Sequence, residues 1–348
     1  MSRALPFRHT SMNLKDLAQR LGMSQTTVSR ALNGYPEVSA QTRERVIAAA
    51  AEAGYRPNPV ARRLATGRAD AIGIIYPLGA ADLGDPYFLE VVGGMTEALN
   101  RADMDLMIAS ASQSDEVRTY ARMIEGRRID GMVVARTKLD DPRLHYLVRK
   151  GIPFVAYGRS NLPDPYAWLD LDTAVGVRRA VERLVSLGHR RIALLGGPTD
   201  LYFVQQGRKG FLGAMAEAGL RVDPRYLVDG VLNQVGGYER MARLLLCDPR
   251  PTAVVIDNQI CGVGALRALV DAGIEVGRDV SIIINDGSPP DPLMGYNVTA
   301  TESAKPHDIG VRLIELMLAL LGGTPADELQ VLWEPKLKIG NTDGPCPG

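Results

Sequence analysis

The 348-residue chain is poor in cysteine, in aromatics and in long apolar runs, and its 40 Lys and Arg balance 40 Asp and Glu. Each shortage excludes something. Cys247, Cys261 and Cys346 are odd in number, far apart and without metal-ligand spacing, so neither a disulfide framework nor a metal site is expected. No apolar run reaches membrane-spanning length and the N-terminus lacks the apolar centre of a secretory leader, so a reduced cytoplasmic protein without a membrane partner is expected. No nucleophile elbow, phosphate loop or dinucleotide fingerprint is visible, so no cofactor and no catalytic residues are expected, and the chain does not read as an enzyme. The length and a 46% hydrophobic composition suit two or three cored units better than one.

What is present is an uneven spread of charge. Residues 1–68 hold eleven Lys and Arg against four Asp and Glu, and the remainder is acidic by the same margin. A basic head on an acidic body is what a polyanion-binding module joined to a separate domain would show. Residues 1–10 lack periodicity and read as a flexible tail. Asn13 can cap a helix over 14–21 with Leu14, Leu17, Ala18 and Leu21 on one face, and Gly22 breaks it. Ser24 caps a second helix through Leu32, stopped by Asn33-Gly34. Ser39 caps a third through Ala53, with Val46, Ile47 and Ala50 inward. Two short helices joined by a tight turn and braced by a third make a helix-turn-helix over 11–57.

If the apolar residues of these helices pack together, Gln25, Thr26 and Arg30 point away from the core. Gln and Arg can pair bidentately with adenine and guanine edges, and a recognition helix reads with its N-terminal residues. Ser24, Thr27, Ser29 and Asn33 suit phosphate oxygens, where they set register without carrying sequence information. The alternative is an ordinary solvated face. The next stretch, GYRPNPVARRLATGR (54–68), places Asn58 as a cap and Pro59 at a first helical position. The implied helix, within a linker over 58–68, is too short to hold alone in water. It would fold against a second copy and DNA, with Leu64 wedged into a base step from the minor groove.

The segments LKDLAQRLGMSQTTVSRALNG, VSAQTRERVIAAAAEAGYRPNPVARRLATGR and AIGIIYP, in that order, resemble the LacI/GalR family of transcriptional regulators. The resemblance runs through the whole head and more loosely to about residue 340. It implies that Gln25, Thr26 and Arg30 read the major groove, that Leu64 is the minor-groove wedge, and that Tyr55 contacts the backbone beside Asn58.

From residue 69 the chain alternates β-branched runs with helical segments. Strands are expected at 71–76, 105–110, 130–135, 153–157, 191–196, 252–256 and 280–284, and helices around 87–102, 115–126, 174–187, 207–218, 236–246 and 262–273. This alternation argues for parallel sheets with helices on both faces, and the length for two such units. The expected fold is therefore a small all-α helix-turn-helix domain followed by an α/β two-subdomain core at 69–340. The resemblance implies that the core is periplasmic-binding-protein-like, with an N-subdomain at about 69–170 and 302–329, a C-subdomain at about 171–301 and 330–340, and a tail at 341–348.

Ligands of open parallel sheets sit beyond the strands' carboxyl ends, so the loops there are the candidate cleft. Carboxylates and amides interleaved with rings suit a sugar, pairing its hydroxyls and covering its apolar faces. The candidate effector residues are Asp85, Tyr87, Phe88, Ser110, Arg159, Asp172, Phe203, Arg208, Asn258 and Asp286. Gly158, Gly207, Gln259 and Asn285 depart from the family's usual residues. Asp170 and Asp172 could equally cap the helix starting near Thr173, and LGHRRI (187–192) reads as a helix end and strand entry.

The function these features suggest is a homodimeric DNA-binding repressor of a pseudo-palindromic operator, released by a small carbohydrate effector. A purine or nucleoside effector or a corepressor is the alternative. A solute receptor would need no basic head, and a glycoside-acting enzyme would need a placed carboxylate pair. The final NTDGPCPG has no leucine heptad for a tetramer-forming coiled coil, which favours a dimer. Leu64→Ala should weaken operator binding and reduce the DNA bend while leaving effector affinity intact. Unchanged affinity and gel mobility in that variant would remove the wedge assignment.

Overall fold

A computed structural model describes residues 12–55, 67–76, 85–111, 115–230, 232–287 and 295–347. The expected linker helix with Asn58 and Leu64, and the tail at 1–10, lie outside the described residues. The chain divides into two compact units, residues 1–70 and 71–348.

The described residues of the first unit form three helices, α1 (Leu14–Leu21), α2 (Gln25–Leu32) and α3 (Ala40–Glu52). Asn13 and Asp16 cap α1 reciprocally, the Asn13 side chain accepting from the Asp16 N–H at 3.0 Å. Gly22 ends it at a φ of 65°, a left-handed conformation that glycine adopts without strain. Ser24 and Ser39 accept from the Thr27 and Thr42 N–H groups to start α2 and α3. Leu17, Val28, Ala31 and Val46 are fully buried, and burying each of the larger ones is worth roughly 1.5–3 kcal/mol. Ile47, expected inward, is 51% exposed because it lies about 100° round the helix from Val46, outside the Val46–Ala50 stripe. Two arginines of α3 are spent internally: Arg43 donates to the Tyr35 carbonyl at 3.0 Å and Arg45 to the Leu21 carbonyl at 3.2 Å.

The second unit holds two six-stranded sheets. The first is built from β1 (Ala71–Tyr76), β2 (Asp105–Ser110), β3 (Gly131–Ala135), β4 (Phe154–Tyr157) and β5 (Ala167–Leu171), with α4 (Pro86–Arg101), α5 (Glu116–Glu125) and α6 (Pro142–Lys150) between them. The chain then crosses to α7 (Thr173–Ser186), β6 (Ile192–Leu195), α8 (Tyr202–Glu217), β7 (Leu227–Val228), α9 (Gln234–Leu245), β8 (Ala253–Ile256), α10 (Gln259–Asp271), β9 (Ser281–Asn285) and β10 (Ala300–Glu302). It returns for α11 (Pro306–Leu321) and β11 (Gln330–Trp333), then crosses again for β12 (Lys336–Lys338). The sheet orders are β11-β5-β4-β3-β1-β2 and β12-β10-β9-β8-β6-β7, and every pairing is parallel except β10 with β12.

Alternate residues of β1 feed opposite cores. Ile72, Ile74 and Tyr76 pack with α4 and α11, whereas Ile75 packs on the face of α5 and α6. The helix pairs approach closely through glycine: a Cβ on Gly94 would stand 2.0 Å from the His307 carbonyl oxygen, and one on Gly310 2.0 Å from that of Val91. No side chain fits there, so α4 and α11 are locked backbone to backbone. No described helix is long and apolar enough to cross a membrane.

Several expectations need correction. The second subdomain boundary falls after β11, not at 330, because Gln330–Trp333 pair in parallel register with Trp168–Leu171 of the first sheet. The helix expected around 207–218 begins earlier, at Tyr202, so residues 202–206 are its first turns. Residues 341–347 are no loose tail. Thr342 is fully buried and exchanges hydrogen bonds with Ile282, its N–H partner standing 2.7 Å from the Thr342 carbonyl. Asp343 pairs with Arg183 at 2.8 Å. His189, fully buried, lies 2.9 Å from the Thr252 hydroxyl and 3.0 Å from the Gly344 carbonyl. Burial pushes its pKa down, so this histidine acts as a neutral staple. Deleting 341–348 should lower the melting midpoint of the body by roughly 5–10 °C, the size expected from losing a few kcal/mol in a domain this large. Calorimetry giving an unchanged midpoint would show the packing to be idle.

Candidate functional site

In the first unit, packing of α2 through Val28 and Ala31 leaves Gln25, Thr26 and Arg30 exposed on its outer side. Thr27 and Ser29 are half-buried beside them. Ser24 is engaged as the cap, its hydroxyl also 2.8 Å from that of Thr27, and the Asn33 amide donates to Ser29 at 3.4 Å. Tyr55 is half-buried against the head core, its N–H bonded to the Ala50 carbonyl.

In the second unit the cleft lies where both sheets reverse their strand order. In the first sheet β1 stands between β2 and β3, and in the second β6 stands between β7 and β8, so the flanking connections leave in opposite directions and open a crevice. Ile74 and Tyr76 of β1 and Val133 and Ala135 of β3 line one wall, and Asp257 after β8 lines the other. Four helix N-termini point into the same gap. Asp85 caps α4, Asp172 caps α7, Asn258 caps α10, and Phe203 sits in the first turn of α8. Their partial positive charge favours acidic groups there.

Four carboxylates, Asp85, Asp170, Asp257 and Asp286, line the cleft together with Tyr87, Tyr157, Thr137, Asn258, Gln259 and Asn285. The two halves touch across it: the Tyr87 hydroxyl donates to Asp286 at 3.2 Å, and the Gln259 amide to Asp85 at 3.1 Å. The Tyr87 and Tyr157 hydroxyls are 2.8 Å apart. Burial, reinforced by the neighbouring carboxylates Asp85, Asp170 and Asp257, pushes Asp286 up to about 7 against the bond from Tyr87. Burial likewise pushes Asp257 up to about 6, although the Gly197 N–H at 2.8 Å and the Asn258 amide favour its ionised form. Burial outweighs Arg159 in raising Asp170, and it also raises the Tyr87 and Tyr157 hydroxyls well above their usual range. The apolar wall is aromatic at its centre, with Tyr76 and Phe88 stacked 4.0 Å apart and the Arg136 guanidinium 4.4 Å from the Tyr76 ring. Arg136 and Asp286, both at the cleft, hold left-handed backbone at φ of 52° and 73°, the strained conformation that concentrates at working sites.

Of the expected effector residues, Asp85, Tyr87, Phe88, Phe203, Asn258 and Asp286 line this gap and four do not. Ser110 ends β2, the outer strand, and lies away from the β1/β3 crevice. Arg208 is a step round α8 from the cleft-facing Phe203 and Gly207, and pairs with Asp229 at 3.0 Å. The Asp172 carboxylate is committed to the Val175 N–H at 3.1 Å as the α7 cap. Arg159 stands one layer back, bonded to Asp170 at 2.6 Å between Trp168 and Tyr202. The expected set omits Asp170, Asp257, Gln259, Thr137 and Tyr157. Their only sequence signal is their place at or just beyond the carboxyl ends of strands, which gives no distances.

Residues 13–58 match the family described as bacterial regulatory proteins, lacI family, and residues 69–327 match the periplasmic binding proteins and sugar binding domain of LacI family. The chain belongs to the LacI family. It is 38% identical to the HTH-type transcriptional regulator RafR of Escherichia coli, over 95% of this chain and 98% of that one. It is 37% identical to the HTH-type transcriptional regulator AglR of Rhizobium meliloti, covering 97% and 95%. It is 31% identical to the regulator CelR of Thermobifida fusca, covering 95% and 98%. A solved CelR–cellobiose complex superposes with a TM-score of 0.72 at 27% identity, covering 95% of this chain and 99% of that one. The lac repressor dimer bound to operator and an anti-inducer shares the fold at a TM-score of 0.78 and 24% identity, covering 96% and 99%. As a LacI-family chain it is a helix-turn-helix transcriptional regulator with a sugar-binding domain.

The raised Asp286 gives this regulator a pH signature. Folded, the group keeps its proton to about 7, whereas unfolded it ionises near about 4, so the folded state binds more protons between those values. Its contribution to stability is present in acid and is lost as pH rises through that window. Asp286→Asn should flatten the fall of the melting midpoint between pH 5 and 8. An identical slope in variant and wild type would disprove the assignment.

Proposed function

We propose that the chain is a repressor that binds a pseudo-palindromic operator as a homodimer in the cytoplasm and leaves it when a neutral sugar occupies the cleft. The observation that carries the sugar reading is the alternation, in one gap, of carboxylates and amides with stacked rings. Carboxylates accept from hydroxyls, amides bond in both directions, and Phe88 and Phe203, both lining the gap, offer apolar ring surface to a sugar's axial C–H face. The CelR–cellobiose complex supports the reading, because a relative with the same fold holds a disaccharide. The DNA reading rests on Gln25, Thr26 and Arg30 standing exposed at the start and along the outer side of α2.

Coupling follows from where the cleft contacts lie. A sugar that takes over the Tyr87–Asp286 and Gln259–Asp85 bonds touches both halves, so its affinity depends on their separation. Only such a state-dependent affinity can move a distant equilibrium. A difference of about 1–3 kcal/mol, common for such coupling, changes operator affinity about 5- to 150-fold.

The experiment screens cellobiose, maltose, melibiose, raffinose, their component monosaccharides, and adenosine and guanine by thermal shift, then repeats gel shifts with each binder. A sugar that raises the melting midpoint and loosens operator binding is the expected result. A response to purines alone, or tighter operator binding with the sugar, would overturn the effector or its sign. Arg30→Ala should weaken binding by about 1–3 kcal/mol at one base pair and relax selectivity there, leaving the sugar response unchanged.

A further inference from the structure

Behind the cleft, between β3 and α6, lies a buried ionic cluster that no direct contact with a ligand explains. The Arg143 side chain is 3% exposed, and those of its partners Asp141 and Glu116 are 0% and 10% exposed. Two of its guanidinium nitrogens reach Asp141, at 2.9 and 2.7 Å, and a third reaches Glu116 at 3.2 Å. Asp141 also accepts from the N–H groups of Arg143 and Lys138, both at 3.0 Å. Burial alone would raise the Asp141 carboxyl, but the Arg143 hydrogen bonds and charge outweigh it and hold it below the usual range.

Removing two carboxylates and a guanidinium from water is costly, and well-packed apolar residues of the same volume commonly serve a core as well. Stability is therefore a weak reason for this cluster. One bond distinguishes it from an apolar plug: Arg143 donates to the Arg136 carbonyl at 2.9 Å. Arg136 is the cleft residue whose backbone is left-handed, a conformation unfavourable for any side chain but glycine unless something holds it. The adjoining residue is tied down as well. The Thr137 carbonyl accepts from the Tyr202 N–H at 3.0 Å, across the two subdomains, and its hydroxyl donates to the Arg159 carbonyl at 2.6 Å.

We infer that Arg143 is a positioning residue of the ligand cleft, whose buried guanidinium fixes the turn after β3 so that Arg136 and Thr137 face a bound sugar. The inference rests on the carbohydrate reading of the cleft. Arg136 in turn covers Tyr76, so slackening the turn disturbs the aromatic wall as well as the polar rim. Glu116 balances the guanidinium and touches no cleft residue in this chain of bonds, which makes Glu116→Gln the control expected to bind normally.

The test is a double-mutant cycle in the full-length protein with Arg143→Lys, which keeps the charge but cannot fork between Asp141 and Arg136, and Arg136→Gly, which holds a left-handed turn unaided. The probe is whichever of cellobiose, maltose, melibiose or raffinose shifts wild-type melting most. Arg143→Lys should weaken its binding at least tenfold in the wild-type background and less than threefold in Arg136→Gly. Amide exchange at residues 136–139 should quicken in the ligand-free Arg143→Lys protein. Equal losses in both backgrounds, or unaltered exchange at 136–139, would overturn the inference. Should Arg143→Lys not fold, Arg143→Met with Asp141→Asn removes the cation and neutralises its main partner, and is judged by the same two readouts. If no sugar binds the wild type, the carbohydrate reading fails by itself, and the exchange measurement still decides the role of Arg143.

Discussion

The direction of the chain in two parallel sheets governs the rest of this molecule. Because neighbouring strands run the same way, the parallel strands of each sheet end on one side and the helices that follow them begin there. Two such sheets facing one another therefore bring helix N-termini, not side chains of any one element, to the gap between them. The caps Asp85, Asp172 and Asn258 start α4, α7 and α10, and through Asp85 and Asn258 the same requirement places an acid and an amide in the gap. Glycine contacts such as Gly94 and Gly310 then fix α4 on α11, so its first turn cannot drift.

That arrangement creates a tension. Four carboxylates are gathered away from water, and burial first, then the neighbouring acids (Asp85, Asp170 and Asp257 for Asp286, Asp229 for Asp257), raises Asp286 and Asp257. Bonds across the gap from Tyr87 to Asp286 and from Gln259 to Asp85 supply donors to two of these acids. Arg136 and Asp286 at the cleft are two of the five described non-glycine residues with left-handed backbone.

The head was legible in detail, because caps and stops are local: Asn13, Gly22, Ser24 and Ser39 do what residues of their type do anywhere. The buried strands β1, β3, β8 and β9 were legible for a similar reason, being β-branched runs bounded by turns. The strands β5, β7 and β10 to β12 were not. They have two to five residues and mixed polarity, and they exist because of the partner beside them, not because of their own pattern. Helix α11 carries a clear stripe of Ile309, Leu313, Ile314 and Met317, but it follows a crossover strand and falls outside a simple strand-helix alternation. At the cleft, loop position pointed to Asp85, Tyr87 and Asp286. It could not separate Asp170, buried against Arg159, from Asp172, spent on a cap, because only the fold decides which of two adjacent acids turns inward.

The internal hydrogen bonds of Arg43 and Arg45 in the head bear on how strongly salt should act on its grip. Arg43 holds the Tyr35 carbonyl and Arg45 the Leu21 carbonyl, so part of each guanidinium's donor capacity serves the three-helix fold. Counterions leave DNA only for cations that approach it closely. The formal surplus of the head thus overstates its polyelectrolyte character, and the ionic-strength dependence of complex formation should report fewer displaced ions than the sequence charge alone suggests.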